Sequence, residues 1–340
     1  MTATRVTIED VAREAHVSVA TVSRALRGLP NVSPRTRERV ETVAFRLRYR
    51  PDPAAARLAT GRSHTIGLGV PVPGSWYFAQ VMAGAEAVLA EHGYDVLLYA
   101  VNDAAARGRF LAEAGARRGR MDGVILVELP LSDDQLDRLA TTTPNVVIVG
   151  GRSGSFDSVA IDNCDAAYVA TQHLIGLGHV RIGLIGCSPE GATCFTVPQH
   201  RREGWLAALA EARISPLPEW EQAGDFSIVG GTEAMARLLA LPDAPTAVLA
   251  MSDEMAMGAL RAMRDAGVRC PAEVSVMGID DHELSYVVGL TTIRQPVVDN
   301  GAVAARMLVD RLDDPGRPRQ QHLAPTELVA RTTTGRVPQG

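Results

Sequence analysis

A chain of 340 residues exceeds one ordinary hydrophobic core and implies two or three folding units. Its 46% hydrophobic and 21% charged residues exclude a disordered chain, and no apolar run approaches the ~20 residues of a membrane span. Twelve of the 34 basic residues but only six of the 39 acids fall in residues 1–62, so a head of +6 is joined to a body of −11. A basic head gathers phosphate attraction at one end of an acidic protein. Every basic residue is arginine, a side chain suited to guanine and to phosphate. The polar, acid-bearing stretch Met1–Glu9 lacks the apolar core of a signal peptide, so the expected location is the cytoplasm. Cys164, Cys187, Cys194 and Cys270 form no C-x-x-C pair and have no matching histidines; reduced thiols are expected, with no metal and no cofactor.

The head opens with Thr7-Ile8-Glu9-Asp10, a helix start with Thr7 as cap and Asp10 at the positive end of the dipole. Ile8, Val11, Ala12 and Ala15 then share one face. His16-Val17-Ser18 makes a turn, and Ser18 caps a second helix running to Leu26. Val22 and Leu26 point inward there, while Val19, Ala20, Ser23 and Arg24 point outward. Ser33-Pro34 starts a third helix with Val40, Val43, Ala44 and Leu47 inside and Arg35, Arg37, Arg39 and Arg46 outside. Spacing alone leaves two readings, a plain three-helix bundle or a helix-turn-helix over residues 5–30. Pro51 and Pro53 stop the third helix, and Asp52-Pro53 can begin a short one over residues 54–59 that Gly61 ends. Taken bare, that segment is a linker.

From Thr65 onward apolar strands alternate with helical stretches. Strands are expected at 66–70, 94–100, 123–127, 146–149, 182–185, 247–250 and 274–277, with helices such as 79–91 and 254–265 between them. Continuous apolar strands in such alternation mean parallel sheets covered on both faces, and two sets mean two α/β lobes. Ligands of such sheets bind at the carboxyl ends of the strands, here across a cleft between lobes. Enzyme motifs fail. Gly176-Leu177-Gly178 precedes a strand and lacks its third glycine, no P-loop occurs, and Ser153 has no nucleophile elbow. The neighbouring Asp280 and Asp281 diverge at a strand end and assemble no catalytic set.

Thr7-Ile8-Glu9-Asp10-Val11-Ala12 and Val17-Ser18-Val19-Ala20-Thr21-Val22-Ser23-Arg24-Ala25-Leu26 resemble the head of the LacI/GalR family of bacterial repressors. The body resembles the family along nearly its whole length, including His173–His179, Ser252–Leu260, Val274–Asp281 and Leu290–Pro296. The resemblance implies an N-terminal all-α helix-turn-helix domain (1–50), a hinge helix (51–62) and a periplasmic-binding-protein-like α/β body (63–340) of two lobes, each with a parallel sheet. It implies a homodimer on palindromic double-stranded operator DNA, with affinity set by a small sugar-like effector, and neither enzymatic activity nor a membrane partner. Val19, Ala20 and Arg24 would read bases; Thr7, Ser18, Thr21, Ser23 and Asn31 would hold phosphates. Ala55 and Leu58 would enter the minor groove, where a leucine wedge bends the duplex. Tyr77, Phe78, Arg201, Phe226, Ser252, Asp253 and Asp280 would meet the effector.

The match has departures. His16 and Arg48 stand where glycine is usual, Ala56-Arg57 where Arg-Ser is usual, and Ser75-Trp76 where Asn-Pro is common. Ser252 replaces a common asparagine, and Gly150 and Gly151 occupy the region of a hydroxyl-binding aspartate. Fewer amides and acids and one extra indole imply a ligand unlike a simple hexose. A solute-binding transport protein would explain the body but not residues 5–60, and an enzyme with a DNA-binding appendage would need the catalytic set that is missing.

Overall fold

The computed structural model of the chain describes residues 6–26, 30–49, 62–116, 120–129, 131–143, 145–151, 154–188 and 196–337. Two compact units divide it, Met1–Ser63 and His64–Gly340, and each has a core of its own. Ala55, Leu58 and the rest of the expected hinge helix lie outside the described residues, as does Cys194.

In the head, α1 (Ile8–Glu14), α2 (Val19–Leu26) and α3 (Pro34–Arg46) enclose Val11, Ala15, Val22 and Val40, all fully buried. Each such valine contributes about 1.5–3 kcal/mol. Ala25 is the fully buried residue late in α2, while Leu26 is only partly covered. The expected starts are in place. Thr7 donates from its backbone N and Oγ1 to the Asp10 carboxylate at 2.9 and 3.0 Å, Ser18 Oγ accepts from Thr21 N at 3.1 Å, and Ser33 Oγ accepts from Thr36 N at 3.2 Å. The Thr7 backbone N–H, chiefly, holds the Asp10 carboxyl below its ordinary range.

Helices α1 and α3 end in the same way. His16 (φ 51°) and Arg48 (φ 54°) take the left-handed conformation that favours glycine. Past each of them the chain wraps back, Val17 N to Ala12 O at 3.0 Å and Tyr49 N to Ala44 O at 2.9 Å. His16 and Arg48, where the resemblance expects glycine, therefore hold a glycine-favouring conformation and bear the strain themselves.

The body holds two sheets. The first orders β11 (Gln321–Ala324), β5 (Asp157–Ile161), β4 (Val146–Val149), β3 (Gly123–Val127), β1 (Thr65–Val70) and β2 (Asp95–Ala100), all parallel. The second orders β12 (Glu327–Val329), β10 (Thr291–Arg294), β9 (Ser275–Asp280), β8 (Ala247–Ala250), β6 (Ile182–Gly186) and β7 (Glu221–Ala223), with β12 alone antiparallel. Both are doubly wound in one order, so each has a switch point between its first and third strands, where the crossovers part to opposite faces.

Helix α4 (Trp76–Glu91) and α12 (Val297–Asp313) cover one face of the first sheet; α5 (Ala104–Ala116) and α6 (Asp133–Thr142) lie against the other. A Cβ on Gly84 would lie 1.9 Å from Val298 O and one on Gly301 2.1 Å from Val81 O, so α4 and α12 meet backbone to backbone. The second sheet carries α7 (Asn163–Gly176), α8 (Thr196–Glu211), α9 (Ile228–Leu239) and α10 (Asp253–Asp265), with the short α11 (Glu283–Val288) after β9. The chain passes between lobes three times, after β5, β10 and β11.

Strand β5 escapes a pattern reading because it begins with a buried acid. Asp157 is 1% exposed and accepts from Arg311 Nε and Nη2 at 3.0–3.1 Å and from Gln320 N at 2.7 Å. Burial of a charge is tolerable only with such pairing.

The strained helix ends yield a prediction. His16→Gly removes a left-handed penalty of about 1–2 kcal/mol and adds chain entropy worth about 0.5–1 kcal/mol to the unfolded state. The head should gain up to about 1 kcal/mol, read as slower hydrogen exchange at the Val11, Val22 and Val40 amides. Faster exchange would contradict the strain assignment.

Candidate functional site

Two surfaces carry the chemistry, one in each unit. On the head, α2 turns Val19, Ala20 and Arg24 outward; Val19 is 40% exposed, while Val22 opposite is fully buried. Ser18 is exposed and Thr21 and Ser23 are half-buried at the helix edge, with Ser18 Oγ and Thr21 Oγ1 2.8 Å apart. Thr7 and Asn31 are exposed, and Asn31 sits at φ 70°. Arg13 and Arg46 are paired with Asp10 and Glu14 at 2.7 and 2.5 Å. Arg24, Arg35 and Arg39 are exposed and make no ion pair with another described residue. Such an outer face, small apolar groups and a guanidinium flanked by hydroxyls, matches base edges and phosphates in chemistry.

In the body the loops at the two switch points converge. Tyr77, in the first turn of α4, hydrogen-bonds to the carboxylate of Glu128, the residue that follows β3. From the second lobe, α8 contributes Arg201, 3% exposed, and β9 ends on Asp280, 6% exposed. Arg201 donates from Nε to Asn163 Oδ1 at 2.8 Å and from Nη1 to the Met251 carbonyl, and its Nη2 faces Asp280 Oδ1 at 3.9 Å. Gln295, in the second crossing between lobes, donates from Nε2 to Asp280 Oδ1 at 2.6 Å.

Burial dominates the electrostatics of this cluster. It pushes the Asp280 carboxyl up to about 8, against the pull of Arg201 and with a further push from Asp253. Burial also raises Glu128, opposed by Arg201 and the Tyr77 hydroxyl, and it lifts the Tyr77 phenol well above its ordinary value, with Glu128 adding to the rise. The backbone is strained at the same places: Glu128 (φ 46°), Asp225 (φ 48°), Phe226 (φ 53°) and Asp280 (φ 138°) all lie in the region that favours glycine.

Other anticipated effector residues are committed to the protein. Asp253 accepts from His282 N at 2.8 Å, from Ser285 Oγ at 2.6 Å and from Thr292 Oγ1 at 2.6 Å. Ser252 Oγ caps α10 through Met255 N at 3.3 Å. Phe78 is buried in the first lobe's core, edge-on to Tyr77 at 5.3 Å, and Phe226 packs half-buried on the second core. Trp76 stacks on His282 of the other lobe at 4.5 Å, and Ser75 Oγ bonds Glu254 Oε2 across the cleft at 3.2 Å. Asp281 turns away from Asp280 to Arg294 and Arg331, at 2.7 and 2.6 Å.

Glu128, Asn163 and Gln295 were missed by the sequence reading. The available signal for Glu128 was a lone acid directly after the apolar run of β3; Asn163 and Gln295 carried none beyond a position beside a strand end. A scarcity of acids in the cleft was expected from Gly150 and Gly151, and the structure corrects it. Gly150 (φ 89°) makes room for Glu128, whose Cγ lies 2.2 Å from where a Gly150 Cβ would be. A cavity of ≈ 410 Å³ opens beside them, bounded by Glu128, Gly150, Asn163, Val197 and His200.

Residues 7–52 match the model of the bacterial regulatory proteins of the lacI family, and residues 171–334 that of a periplasmic binding protein-like domain. The HTH-type transcriptional repressor CytR of Escherichia coli (strain K12) is 34% identical over 343 residues, covering 98% of each chain. Catabolite control protein A of Priestia megaterium is 33% identical over 310 residues, 89% of this chain and 91% of that one. The chain belongs to the lacI family of bacterial regulatory proteins. As a member it is a ligand-responsive DNA-binding transcriptional regulator and not an enzyme. The crystal structure of the lac repressor dimer bound to operator and the anti-inducer ONPF superposes with a TM-score of 0.85 at 29% identity, over 98% of this chain and 100% of that one. Among the described residues no group of His, Cys, Asp and Glu could hold a metal ion, and no helix is long and apolar enough to cross a membrane.

The raised Asp280 carboxyl makes stability depend on pH with a definite sign. The unfolded chain releases this proton near 3.8 and the folded chain near 8, so folding loses stability as pH rises through that interval and no further above it. Asp280→Asn should flatten that fall and raise the unfolding temperature at pH 8, by about 2–4 °C per kcal/mol regained. An equal melting temperature for both proteins at pH 8 would refute the assignment.

Proposed function

We propose that this lacI-family regulator works in the cytoplasm as a homodimer on a palindromic operator, represses the genes beside it, and responds to a small hydroxylated effector held between its lobes. The observation that carries this reading is that one chain pairs an outward-facing α2, bearing Val19, Ala20 and Arg24, with a strained charged cleft. Two-fold symmetry doubles the base contacts of a single head, which alone gains little specificity.

In this reading Val19 and Ala20 pack on base edges and Arg24 offers its planar fork to guanine. Thr7, Ser18, Thr21, Ser23 and Asn31 fix the register on phosphates, and Ala55 and Leu58 act in the minor groove. Tyr77, Arg201, Phe226 and Asp280 contact the effector. Phe78, Ser252 and Asp253 act one step behind, Phe78 supporting Tyr77 and the other two holding the loops that carry the site.

The coupling runs through Asp280. Its side chain and its backbone carbonyl both bond Gln295, which lies on a crossing between lobes. An effector that hydrogen-bonds to Asp280 therefore acts on a connection between the lobes. A few kcal/mol of differential affinity for two lobe arrangements suffices to shift operator binding.

Selection of sites from random DNA should return a palindrome, and failure to return one would refute the operator reading. Arg24→Ala should cost about 1–3 kcal/mol of discrimination at one base pair of each half-site, measured by competition against point-substituted operators. Leu58→Ala should reduce operator bending in a gel-phasing assay; an unchanged bend would remove the wedge role.

A further inference from the structure

On the footing of the effector reading above, we propose that Glu128 sets the chemical class of the effector. The ligand presents hydroxyl or amine donors to Glu128, lays an apolar portion against the aliphatic wall beside it, and bears no phosphate or carboxylate.

The place of Glu128 is built by two strands. It follows the five buried residues of β3, takes φ 46°, and donates its backbone N–H to Val149 O at 2.7 Å. Across from it Gly150, at φ 89°, leaves the volume that the Glu128 side chain fills. A strained non-glycine residue at the carboxyl end of a central strand, beside a switch point, is where a fold of this order holds ligand contacts.

The cation of the cluster is already employed. Arg201 has Nε on Asn163 and Nη1 on Met251 O, which leaves Nη2 turned to Asp280. An anionic ligand in this cavity would thus meet the carboxyl groups of Glu128 and Asp162 on its wall, with the one guanidinium behind them already bound to the protein itself. In a site shielded from water an anion without a free cationic partner is strongly disfavoured. A donor-bearing ligand instead satisfies the carboxyl oxygens of Glu128, and an amine does so with an ionic partner. Burial raises the Glu128 carboxyl above the ordinary carboxylate range, and a donor supplied by the ligand would favour its ionised form.

The second half of the ligand follows from the cavity. Its walls near Glu128 are Leu126, Leu129, Leu131, Leu136, Ile148 and Val197, an aliphatic surface within a space of ≈ 410 Å³. Cavities of that size accept drug-sized molecules whose apolar area provides affinity while a few polar groups fix orientation. A bare sugar would leave this wall without a partner.

The test uses the full-length protein and a probe panel split by charge. One set holds hexoses, pentoses, their phenyl and hexyl glycosides and 2-amino-2-deoxyhexoses; the other holds hexose 6-phosphates and uronic acids. Thermal shift followed by calorimetry on the wild type should find binders in the first set alone, with a glycoside at least about 10-fold tighter than its parent sugar. The relative affinity of amino sugars and sugars separates a cationic from a neutral ligand. Glu128→Gln should weaken the best probe about 10-fold or more, the loss expected for a hydrogen bond to a charged acceptor. A phosphate or uronate bound more tightly than its uncharged parent overturns the proposal, as does an affinity unmoved by Glu128→Gln. If that anionic ligand is lost in Arg201→Ala, the effector reading stands while this inference falls. If neither set binds a protein that still retains its operator, the effector reading falls and takes this inference with it.

Discussion

Arg201 is the buried charge on which the cleft depends. Around one guanidinium at 3% exposure stand Asp280, Glu128 and the side chain of Asn163, with the Met251 carbonyl closing the ring of acceptors. An isolated charge cannot be taken out of water at tolerable cost, so each of these groups needs the others. Their arrangement joins the lobes electrostatically: Arg201 and Asp280 belong to the second, Tyr77 and Glu128 to the first. The acids outnumber the cation, so burial holds the excess toward the protonated form, and the backbone beneath Glu128 and Asp280 is strained. A binding site differs in this from a structural ion pair such as Arg311 with Asp157, where the carboxylate is fully served by the protein.

The duplication of the doubly wound order explains why these side chains meet at all. Each sheet runs from second to first to third strand, and at that reversal the crossovers diverge and leave a crevice at the strand carboxyl ends. Tyr77 and Glu128 follow β1 and β3, the strands at the first reversal; Arg201 and Met251 follow β6 and β8, the strands at the second. Asp280 ends the next strand and is tied to the interlobe crossing by Gln295. If Asp280 meets the effector as proposed, recognition and lobe geometry share one side chain, which is the physical requirement for a ligand to bias a conformational equilibrium.

The head obeys a simpler constraint. Its small core leaves most of its described arginines and the outer face of α2 to solvent, and its turns hold their shape at His16 and Arg48 without the help of glycine. Turn geometry positions the outer face of α2, and the head tolerates local strain where a glycine would be easier.

How much of this was legible in the chain depends on the range of the interactions involved. The three head helices, their caps at Thr7, Ser18 and Ser33 and the outward set Val19, Ala20 and Arg24 are written within spans of a few residues, and the sequence determined them. The central strands β3, β4 and β8 were equally plain, because strands buried on both faces must be continuously apolar. Strand β5 was not, since its first residue is an acid whose partner Arg311 lies 154 positions away. The same distance problem hid the site. Arg201 and Asp280 were named from the resemblance and lie together in the structure, but nothing local says that Asp253 is consumed by Ser285 and Thr292, or that Gly150 makes room for Glu128. Those assignments belong to the tertiary structure alone, because they depend on which groups share a volume from which water has been removed.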